Sequence, residues 1–242
     1  MKTVIVTGGS GDIGKQISYD FAKKEFFVIV HYYKGKQSAE KIVENIISSG
    51  GNASAFGADL SKFSESEKLY SYAIDLLGHI DVLVNNAGIS IQKLFQDVSE
   101  EEWKYLFDVN VGSVFNCTKS VINHMINRKY GKIINISSIW GMVGASMEVH
   151  YSASKAAIIG FTKALAKEVG PSNICVNCIA PGVIDTKMNN FNYETRENIK
   201  DMTPLCRIGT PSDISKTALF LSSDDSNFIT GQIISPNGGF VI

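Results

Sequence analysis

The sequence predicts one α/β domain, built on a parallel sheet with helices on both faces. Short apolar runs alternate with amphipathic segments of helical length along the chain, a pattern typical of strands joined by right-handed helical crossovers. The runs are rich in Val and Ile without clean apolar–polar alternation, as expected for strands buried on both faces. The 242 residues contain no Pro- or Ser-rich linker, so we expect a single domain over 1–242.

Each predicted element follows from this pattern. The predicted strands are Lys2–Thr7, Phe27–Tyr32, Ala53–Gly57, Asp81–Asn85, Lys132–Ile136, Ile174–Ile179 and Gln232–Ser235. The predicted helices cover 13–24, 38–49, 63–77, 99–128, 151–169 and 212–222. Ser99 and Glu102 have the spacing of a capping box. The segment 185–207 is the least regular, which favours either a mobile substrate lid or a plain surface excursion.

Composition and charge exclude several classes of protein. Lys and Arg number 23 against 24 Asp and Glu, for a formal net charge of −1. This balance, without a basic run, predicts no nucleic-acid partner and no anionic-membrane partner. The N-terminal apolar stretch is too short for a signal peptide, and no apolar run is long enough to span a bilayer. We therefore expect a cytoplasmic protein.

The cysteines predict neither a disulfide nor a metal site. Cys175 and Cys178 have C-x-x-C spacing, but they fall in a predicted strand, where residues three apart point to opposite faces. We expect buried free thiols instead. No cluster of His, Asp and Cys has the spacing of metal ligands, and no metal is expected.

Ser138, Tyr151 and Lys155 are the strongest candidates for chemistry. Tyr151 and Lys155 lie four residues apart at the start of a predicted helix, so the ammonium lies beside the phenol. A neighbouring cation is expected to lower the phenol pKa from about 10 toward the range that suits general acid–base catalysis. Ser138 follows a predicted strand, where its hydroxyl can bind the same substrate oxygen. Taken alone, the Tyr-x-x-x-Lys spacing also fits an ordinary amphipathic helix.

The first predicted strand leads directly into a glycine-rich loop and then a helix. Gly9, Gly11 and Gly14 satisfy the G-x-G-x-x-G spacing of a dinucleotide-binding loop. Glycine there lets the backbone approach a pyrophosphate at the helix N-terminus. The position between strand and helix makes the match more specific than the spacing alone.

The end of the second predicted strand indicates NADPH rather than NADH. About eighteen residues past Gly14, an acidic side chain would bind the ribose 2′-hydroxyl of NADH. The stretch 31–36 instead carries Tyr32, Lys34 and Lys36 and no carboxylate, so a 2′-phosphate would meet cations without a repelling acid. The alternative is that these lysines only form a solvated turn.

Further short motifs follow in a specific order. Together with the loop they are Thr7-Gly8…Gly14, Asp59-Leu60, Asn85-Asn86-Ala87-Gly88, Asn110, Ser138, Tyr151-x-x-x-Lys155 and Pro181-Gly182. Their order and spacing resemble those of the classical short-chain dehydrogenases/reductases along nearly the whole chain. The resemblance implies a Rossmann fold with a doubly wound, seven-stranded parallel sheet. It also implies an NADP-dependent oxidoreductase acting on C=O or CH–OH groups, and a homotetramer or homodimer formed through the long helices.

The resemblance implies a role for each matching position. The expected catalytic residues are Asn110, Ser138, Tyr151 and Lys155, with a water at Asn110 relaying protons to Lys155. The expected cofactor-binding residues are Gly8, Ser10, Asp12, Ile13, Gly14, Tyr32, Lys34, Asp59, Leu60, Asn86, Ala87, Gly88, Tyr151, Lys155, Pro181, Gly182, Ile184 and Thr186. The expected substrate-binding residues are Ser138, Trp140, Glu148 and Tyr151. Asp12 departs from the family loop, which has glycine there, and we interpret its carboxylate as a helix cap.

Within the family the chain most resembles the 3-oxoacyl-[acyl-carrier-protein] reductases of fatty acid biosynthesis. The matching stretches are 131–138, 151–155 with 160–163, and 231–232 with 237–239. Such enzymes present basic residues to the acidic carrier protein that holds the carbonyl substrate, and Arg128, Lys129 and Lys132 are candidates for that role. A second basic residue is common where this chain has Ser172 and Asn173, which weakens the assignment.

Two other functions stay open. The stretches 139–150 and 170–174 resemble reductases of the 5-aminopentanone group on a lysine of elongation factor P. Glu148 would pair with that group's ammonium, or it is a rim residue that faces solvent, and His150 is expected to pack or to form a loop hydrogen bond. A non-catalytic nucleotide-sensing protein could share the fold. Sugar-nucleotide epimerases and dehydratases also use Tyr-x-x-x-Lys, but they usually carry a larger C-terminal domain.

Overall fold

A computed structural model describes residues 1–189 and 191–242. The strands are β1 (Thr3–Val6), β2 (Phe27–Tyr32), β3 (Asn52–Gly57), β4 (Val82–Asn85), β5 (Gly131–Ile136), β6 (Ile174–Ile179) and β7 (Ile233–Ile234). In this described part of the chain, seven parallel strands form one sheet in the order β3-β2-β1-β4-β5-β6-β7. The predicted doubly wound parallel sheet of a Rossmann fold is confirmed.

Helices cover both faces of the sheet. They are α1 (Asp12–Ala22), α2 (Lys36–Ser48), α3 (Phe63–Leu77), α4 (Glu100–Phe107), α5 (Ser113–Arg128), α6 (Trp140–Val143), α7 (Val149–Val169), α8 (Tyr193–Met202) and α9 (Pro211–Ser222). One core lies under α1, α2 and α9, and the other under α3, α5 and α7. Side chains alternate along a strand, so β1 sends Val4 and Val6 into the first core and Ile5 into the second. Of the helices described, none is both long enough and apolar enough to cross a membrane.

Two helical segments differ from the prediction. The predicted helix 99–128 is interrupted by a π-helical turn, Asp108–Gly112, between α4 and α5, although the capping box of Ser99 and Glu102 is confirmed. The irregular segment 185–207 contains α8. No residue of α8 is buried, so it carries no apolar stripe from which a helix could be predicted.

The strand order places a crevice at the carboxyl edge of the sheet. β1 pairs with β2 on one side and with β4 on the other. The strands before β4 are therefore added on one side of β1, and the later strands on the other side, so the strand order switches between β1 and β4. Open α/β sheets bind ligands outside the carboxyl ends of the strands at such a switch point.

The cysteines of β6 point apart, as predicted. Cys175 Sγ lies 3.5 Å from Lys132 Nζ, whereas Cys178 packs with Val114 and Ile158. Both are buried free thiols, as predicted, and of the other two free cysteines Cys117 is buried and Cys206 is exposed. Within residues 1–189 and 191–242, no group of three or more His, Cys, Asp or Glu is placed to hold a metal.

Candidate active site

A cleft of about 830 Å³ follows the carboxyl edge of the sheet, from the loop after β2 to the start of α7. Its volume lies within the range of small-molecule sites. The predicted site residues that line it are Gly8, Ser10, Asp12, Ile13, Gly14, Lys34, Asp59, Leu60, Asn86, Ala87, Gly88, Ser138, Trp140, Glu148, Tyr151, Lys155, Pro181, Gly182, Ile184 and Thr186. Residues that are far apart in sequence thus meet in one cleft.

The glycine-rich loop forms a backbone cradle at one end of the cleft. Gly8 has a φ of +62°, and a Cβ there would lie 2.9 Å from Ala87 Cα. A Cβ on Gly14 would clash with the Gly8 carbonyl. Asn86 Nδ2 donates to the carbonyls of Thr7 and Gly8 at 2.9 and 3.2 Å. The side chain of Asn86 therefore braces the loop from within the cleft.

His31 is a cleft residue that the sequence did not single out. It lies in β2 with 2 % of its surface exposed, and its imidazole bonds backbone groups of two cleft-lining segments. Gly8 N–H donates to His31 Nδ1 at 3.1 Å, and His31 Nε2 lies 3.0 Å from the Ala58 carbonyl. These partners lie 23 and 27 residues away, so no local pattern could have revealed them.

The loop after β2 carries the cation expected at the adenosine end. Lys34 lines the cleft together with Tyr33, and its Nζ lies 5.5 Å from the Tyr33 ring centroid. Lys36 instead lies 3.8 Å from Glu40. Tyr32, which was predicted to bind the cofactor, does not line the cleft, and its ring lies against Gly57. Successive side chains of a strand point to opposite faces, so Tyr32 points away from the face of its neighbour His31, which does line the cleft.

Asp12 does not act as the predicted helix cap. The N-cap of α1 is Gly11, which has no side-chain cap, and Asp12 is the first helical residue. Asp12 Oδ2 accepts a hydrogen bond of 2.7 Å from the backbone N–H of Lys187. The carboxylate therefore links the glycine-rich loop to the segment after β6 instead of capping its own helix.

The first turns of α7 bring the catalytic candidates together. Lys155 Nζ lies 5.7 Å from the Tyr151 ring centroid and donates to the Ile136 carbonyl at 2.9 Å. Ser138 follows β5, and its Oγ accepts from the Trp140 N–H at 3.1 Å. The predicted neighbourhood of phenol, ammonium and hydroxyl is present at the cleft wall.

The expected lowering of the Tyr151 pKa is wrong. Burial raises the pKa of Tyr151 to about 12, the nearby Ser138 hydroxyl lowers it, and the Glu148 carboxylate raises it. Burial also lowers the pKa of Lys155 to about 8. Desolvation disfavours the charged form of both groups and is the largest cause of each shift. The phenol therefore holds its proton at neutral pH.

Asn110 lies behind this cluster on the π-helical turn. It is fully buried, and its Oδ1 accepts from the Ile89 N–H at 2.8 Å. Its Nδ2 donates to the Ile89 carbonyl at 2.9 Å and to Ser154 Oγ at 3.1 Å. The side chain thus positions the loop after β4, and its predicted part in a proton relay stays a prediction.

A carboxylate lies in the wall on the substrate side. Glu148 is 7 % exposed and its Oε1 accepts from Ser90 Oγ at 2.8 Å, so it does not face solvent as a rim residue would. Trp140 packs edge-on against Phe240, with ring centroids 6.0 Å apart. His150 is fully buried, and neither ring nitrogen has a hydrogen-bond partner among the described residues, which leaves packing as its role.

The basic residues proposed for a carrier protein do not lie at the mouth of this cleft. Lys132 is 2 % exposed and donates to Asn227 Oδ1 at 2.8 Å. Arg128 donates to Asp81 Oδ1 at 2.9 Å, and Lys129 is the C-cap of α5. All three precede or begin β5, so they lie at the amino edge of the sheet, opposite the cleft. Burial therefore excludes Lys132 from that role, whereas a contact of the exposed Arg128 and Lys129 with a carrier protein stays a prediction.

Comparisons with known proteins agree with this geometry. Residues 2–197 match the short chain dehydrogenase family. The chain is 43 % identical over 240 residues to the 3-oxoacyl-[acyl-carrier-protein] reductase FabG of Chlamydia trachomatis serovar D, covering 98 % of this chain and 96 % of the relative. It is 38 % identical over 239 residues to the Staphylococcus epidermidis protein of the same name, covering 98 % of each chain.

Fold, cleft and sequence similarity therefore lead to one assignment. The chain belongs to the short chain dehydrogenase family and is an oxidoreductase that acts on carbonyl or hydroxyl groups with a nicotinamide cofactor.

Proposed function

We propose that this protein is an NADPH-dependent 3-oxoacyl-[acyl-carrier-protein] reductase, which converts a 3-oxoacyl thioester to a 3-hydroxyacyl thioester. The observation that carries the proposal is the cluster of Tyr151, Lys155 and Ser138 in a cleft that also contains the glycine cradle. The relatives named 3-oxoacyl-[acyl-carrier-protein] reductase, similar over nearly the whole chain, support the substrate class.

The cleft fits a nicotinamide dinucleotide. Gly8 and Gly14 let the loop pack tightly against Ala87 and Asn86, and both glycines line the cleft beside the N-terminus of α1. The amides of the first turn of α1 have no helical acceptor and suit an anion. Lys34 supports NADPH, since it lines the adenosine end and no residue of 31–36 is acidic.

The residues then divide the reaction between them. When held in this cleft, a reduced nicotinamide would supply the hydride that the carbonyl carbon accepts. Ser138 donates a hydrogen bond to the oxygen on which negative charge develops. Tyr151, which holds its proton at neutral pH because burial raises its pKa to about 12, delivers that proton to the oxygen. Burial lowers the pKa of Lys155 to about 8, and this ammonium returns a proton to the phenol.

Other parts of the proposal concern assembly and access. We propose that 185–207 closes over the substrate, supported by the 2.7 Å bond that the Lys187 N–H donates to Asp12 Oδ2; residue 190 lies outside the described residues. We also propose that the protein forms a homodimer or homotetramer through α5 and α7. Its proposed location is the cytoplasm. The 53 % exposure of Phe115 on α5 supports such an interface.

A substrate panel tests the reductase assignment. NADPH oxidation is followed at matched concentrations of acetoacetyl-acyl carrier protein and a simple ketone, and the first is repeated with NADH. The proposal predicts the highest kcat/KM with the carrier-protein thioester and NADPH. Tight nucleotide binding without turnover of any carbonyl would overturn it and favour a nucleotide sensor.

Glu148 favours a second candidate, the reductase of the 5-aminopentanone group on elongation factor P. Its carboxylate is buried in the cleft wall beside Ser90, where a substrate ammonium would find a charge-assisted partner. The matched variant is Glu148→Gln, which keeps shape and removes charge. Modified elongation factor P should outperform the thioester, and E148Q should lose about tenfold of that preference. Faster turnover of the thioester, unaltered in E148Q, would reject this candidate.

A further inference from the structure

The imidazole of His31 connects the two backbone segments that form the adenosine half of the cleft. One is the glycine-rich loop, whose Gly8 N–H donates to Nδ1 at 3.1 Å. The other is the turn after β3, whose Ala58 carbonyl lies 3.0 Å from Nε2. Ala58 directly precedes Asp59 and Leu60, which line the cleft. One side chain therefore sets the separation between the loop and this turn.

The backbone of His31 reinforces the connection. Gly9 N–H donates to the His31 carbonyl at 2.8 Å, so His31 holds two successive amides of the loop. The amides of Asp12 and Ile13, in the first turn of α1, have no acceptor within the helix. The bonds to His31 thus fix the loop from behind and leave the helix N-terminus for an anionic ligand.

The two partners define one protonation state of the ring. A carbonyl oxygen can only accept, so Nε2 carries the hydrogen that Ala58 receives. An amide N–H can only donate, so Nδ1 presents its lone pair to Gly8. Burial agrees with this neutral tautomer, since it lowers the pKa of His31 to about 4. The interaction needs an acceptor at one ring position and a donor at the other.

We propose that His31 is a positioning residue for the dinucleotide: it holds the glycine-rich loop and the turn after β3 at the separation that the bound cofactor requires. The inference rests on the nicotinamide cofactor of the family and not on the identity of the carbonyl substrate. Its test is a binding measurement without any carbonyl compound, so the substrate assignment can fail while this inference stands.

Three variants separate the two hydrogen bonds. His31→Asn keeps an acceptor near the position of Nδ1, His31→Gln keeps a donor near the position of Nε2, and His31→Phe removes both. His124→Phe is the matched control, because His124 Nε2 accepts from the Ile80 N–H at 3.3 Å at the amino edge of the sheet. NADPH affinity is measured by nucleotide fluorescence, and thermal unfolding is followed on the same samples.

His31→Phe should weaken NADPH binding by at least about tenfold, and His31→Asn should restore it to within about threefold of wild type. His124→Phe should lower Tm without changing NADPH affinity. A merely structural role would lower Tm in His31→Phe and leave NADPH affinity within about twofold of wild type; that result would overturn the proposal. If His31→Phe does not fold, the remaining pair decides: Asn binding better than Gln supports the role of the Gly8 bond, and equal affinities overturn it.

Discussion

Buried charged side chains lie at both edges of the sheet, but their surroundings differ. At the amino edge, Asp81 is 3 % exposed and accepts from the Thr3 N–H at 2.7 Å and from Arg128 Nη2 at 2.9 Å. At the carboxyl edge, Lys155 is 4 % exposed and has one hydrogen-bond acceptor within the described part of the chain, the Ile136 carbonyl. The Asp81 carboxylate thus has donors for both of its oxygens, whereas the Lys155 ammonium keeps N–H groups that can still donate a hydrogen bond.

This difference separates stability from chemistry. Removing one partner of a buried, paired charge destabilises the fold, because the other partner is left buried without compensation. A buried charge with spare capacity lowers stability and persists where it serves catalysis. Removal of the Asp81 charge at the amino edge should therefore destabilise the fold without loss of turnover, and removal of the Lys155 charge at the carboxyl edge should lower turnover without destabilising the fold.

Lys155→Met should produce the largest divergence between the two properties. Turnover should fall by about 10²–10⁴-fold, because the proton return to Tyr151 is lost. Stability should rise, since burial lowers the Lys155 pKa from 10.5 to about 8. The folded state then binds fewer protons than the unfolded state between these values, so stability falls as pH drops through that window, and the penalty is complete below it.

The penalty corresponds to about 3 kcal/mol at neutral pH. Urea unfolding at pH 7 and pH 10.5 should show a larger gain for Lys155→Met at pH 7. A variant less stable than wild type at pH 7 would contradict the account.

Ser138→Ala should lower kcat by about 10²–10³-fold with little change in stability, because it removes a donor to the developing oxyanion. The neighbouring Ser137→Ala is the control. Ser137 Oγ donates to the Lys155 carbonyl at 2.8 Å, so this change should cost about 1 kcal/mol of stability with a far smaller effect on kcat. Equal kcat losses in both variants would remove the distinction between the two serines.

Asp81→Asn should show the opposite pattern at the amino edge. Loss of its charge from the contacts with Arg128 and Thr3 should lower the free energy of unfolding by about 2–3 kcal/mol, while kcat per folded molecule stays unchanged. Asp75 is exposed, and as the control Asp75→Asn should change stability by less than about 0.5 kcal/mol. A large loss of kcat in folded Asp81→Asn would show that the two edges are coupled.

Lys34→Glu should give the smallest effect, a shift in nucleotide preference. The ratio of kcat/KM for NADPH to that for NADH should fall by about tenfold, the equivalent of one weak charge contact. Lys36→Glu is the control, because Lys36 pairs with Glu40. An unchanged ratio in Lys34→Glu would remove the basis of the NADPH assignment.

The sequence predicted local and repetitive features well. The sheet follows from apolar runs of strand length, and β2 and β6 have the predicted bounds. The cluster of Tyr151 and Lys155 follows from their i,i+4 spacing, which one helix converts into proximity.

What the sequence did not predict depends on long-range surroundings. His31 and Asp12 accept hydrogen bonds from residues that lie 23 and 175 positions away in the sequence. No local pattern carries that information. The direction of the Tyr151 pKa shift depends on burial as well as on the neighbouring charge. Lysine is a residue type that is usually exposed, but Lys132 is enclosed by the two neighbouring strands and Asn227.

The single-turnover rate of NADPH oxidation with acetoacetyl-acyl carrier protein tests the central claim most directly, when measured for Tyr151→Phe and Tyr130→Phe. Tyr130 also has a buried phenol oxygen, without a hydrogen-bond partner in the described structure, but it lies at the amino edge. Tyr151→Phe should lose at least about 10²-fold of the rate with nearly unchanged NADPH affinity, and Tyr130→Phe should retain the wild-type rate. A wild-type rate in Tyr151→Phe would contradict the assignment of this phenol as the proton donor.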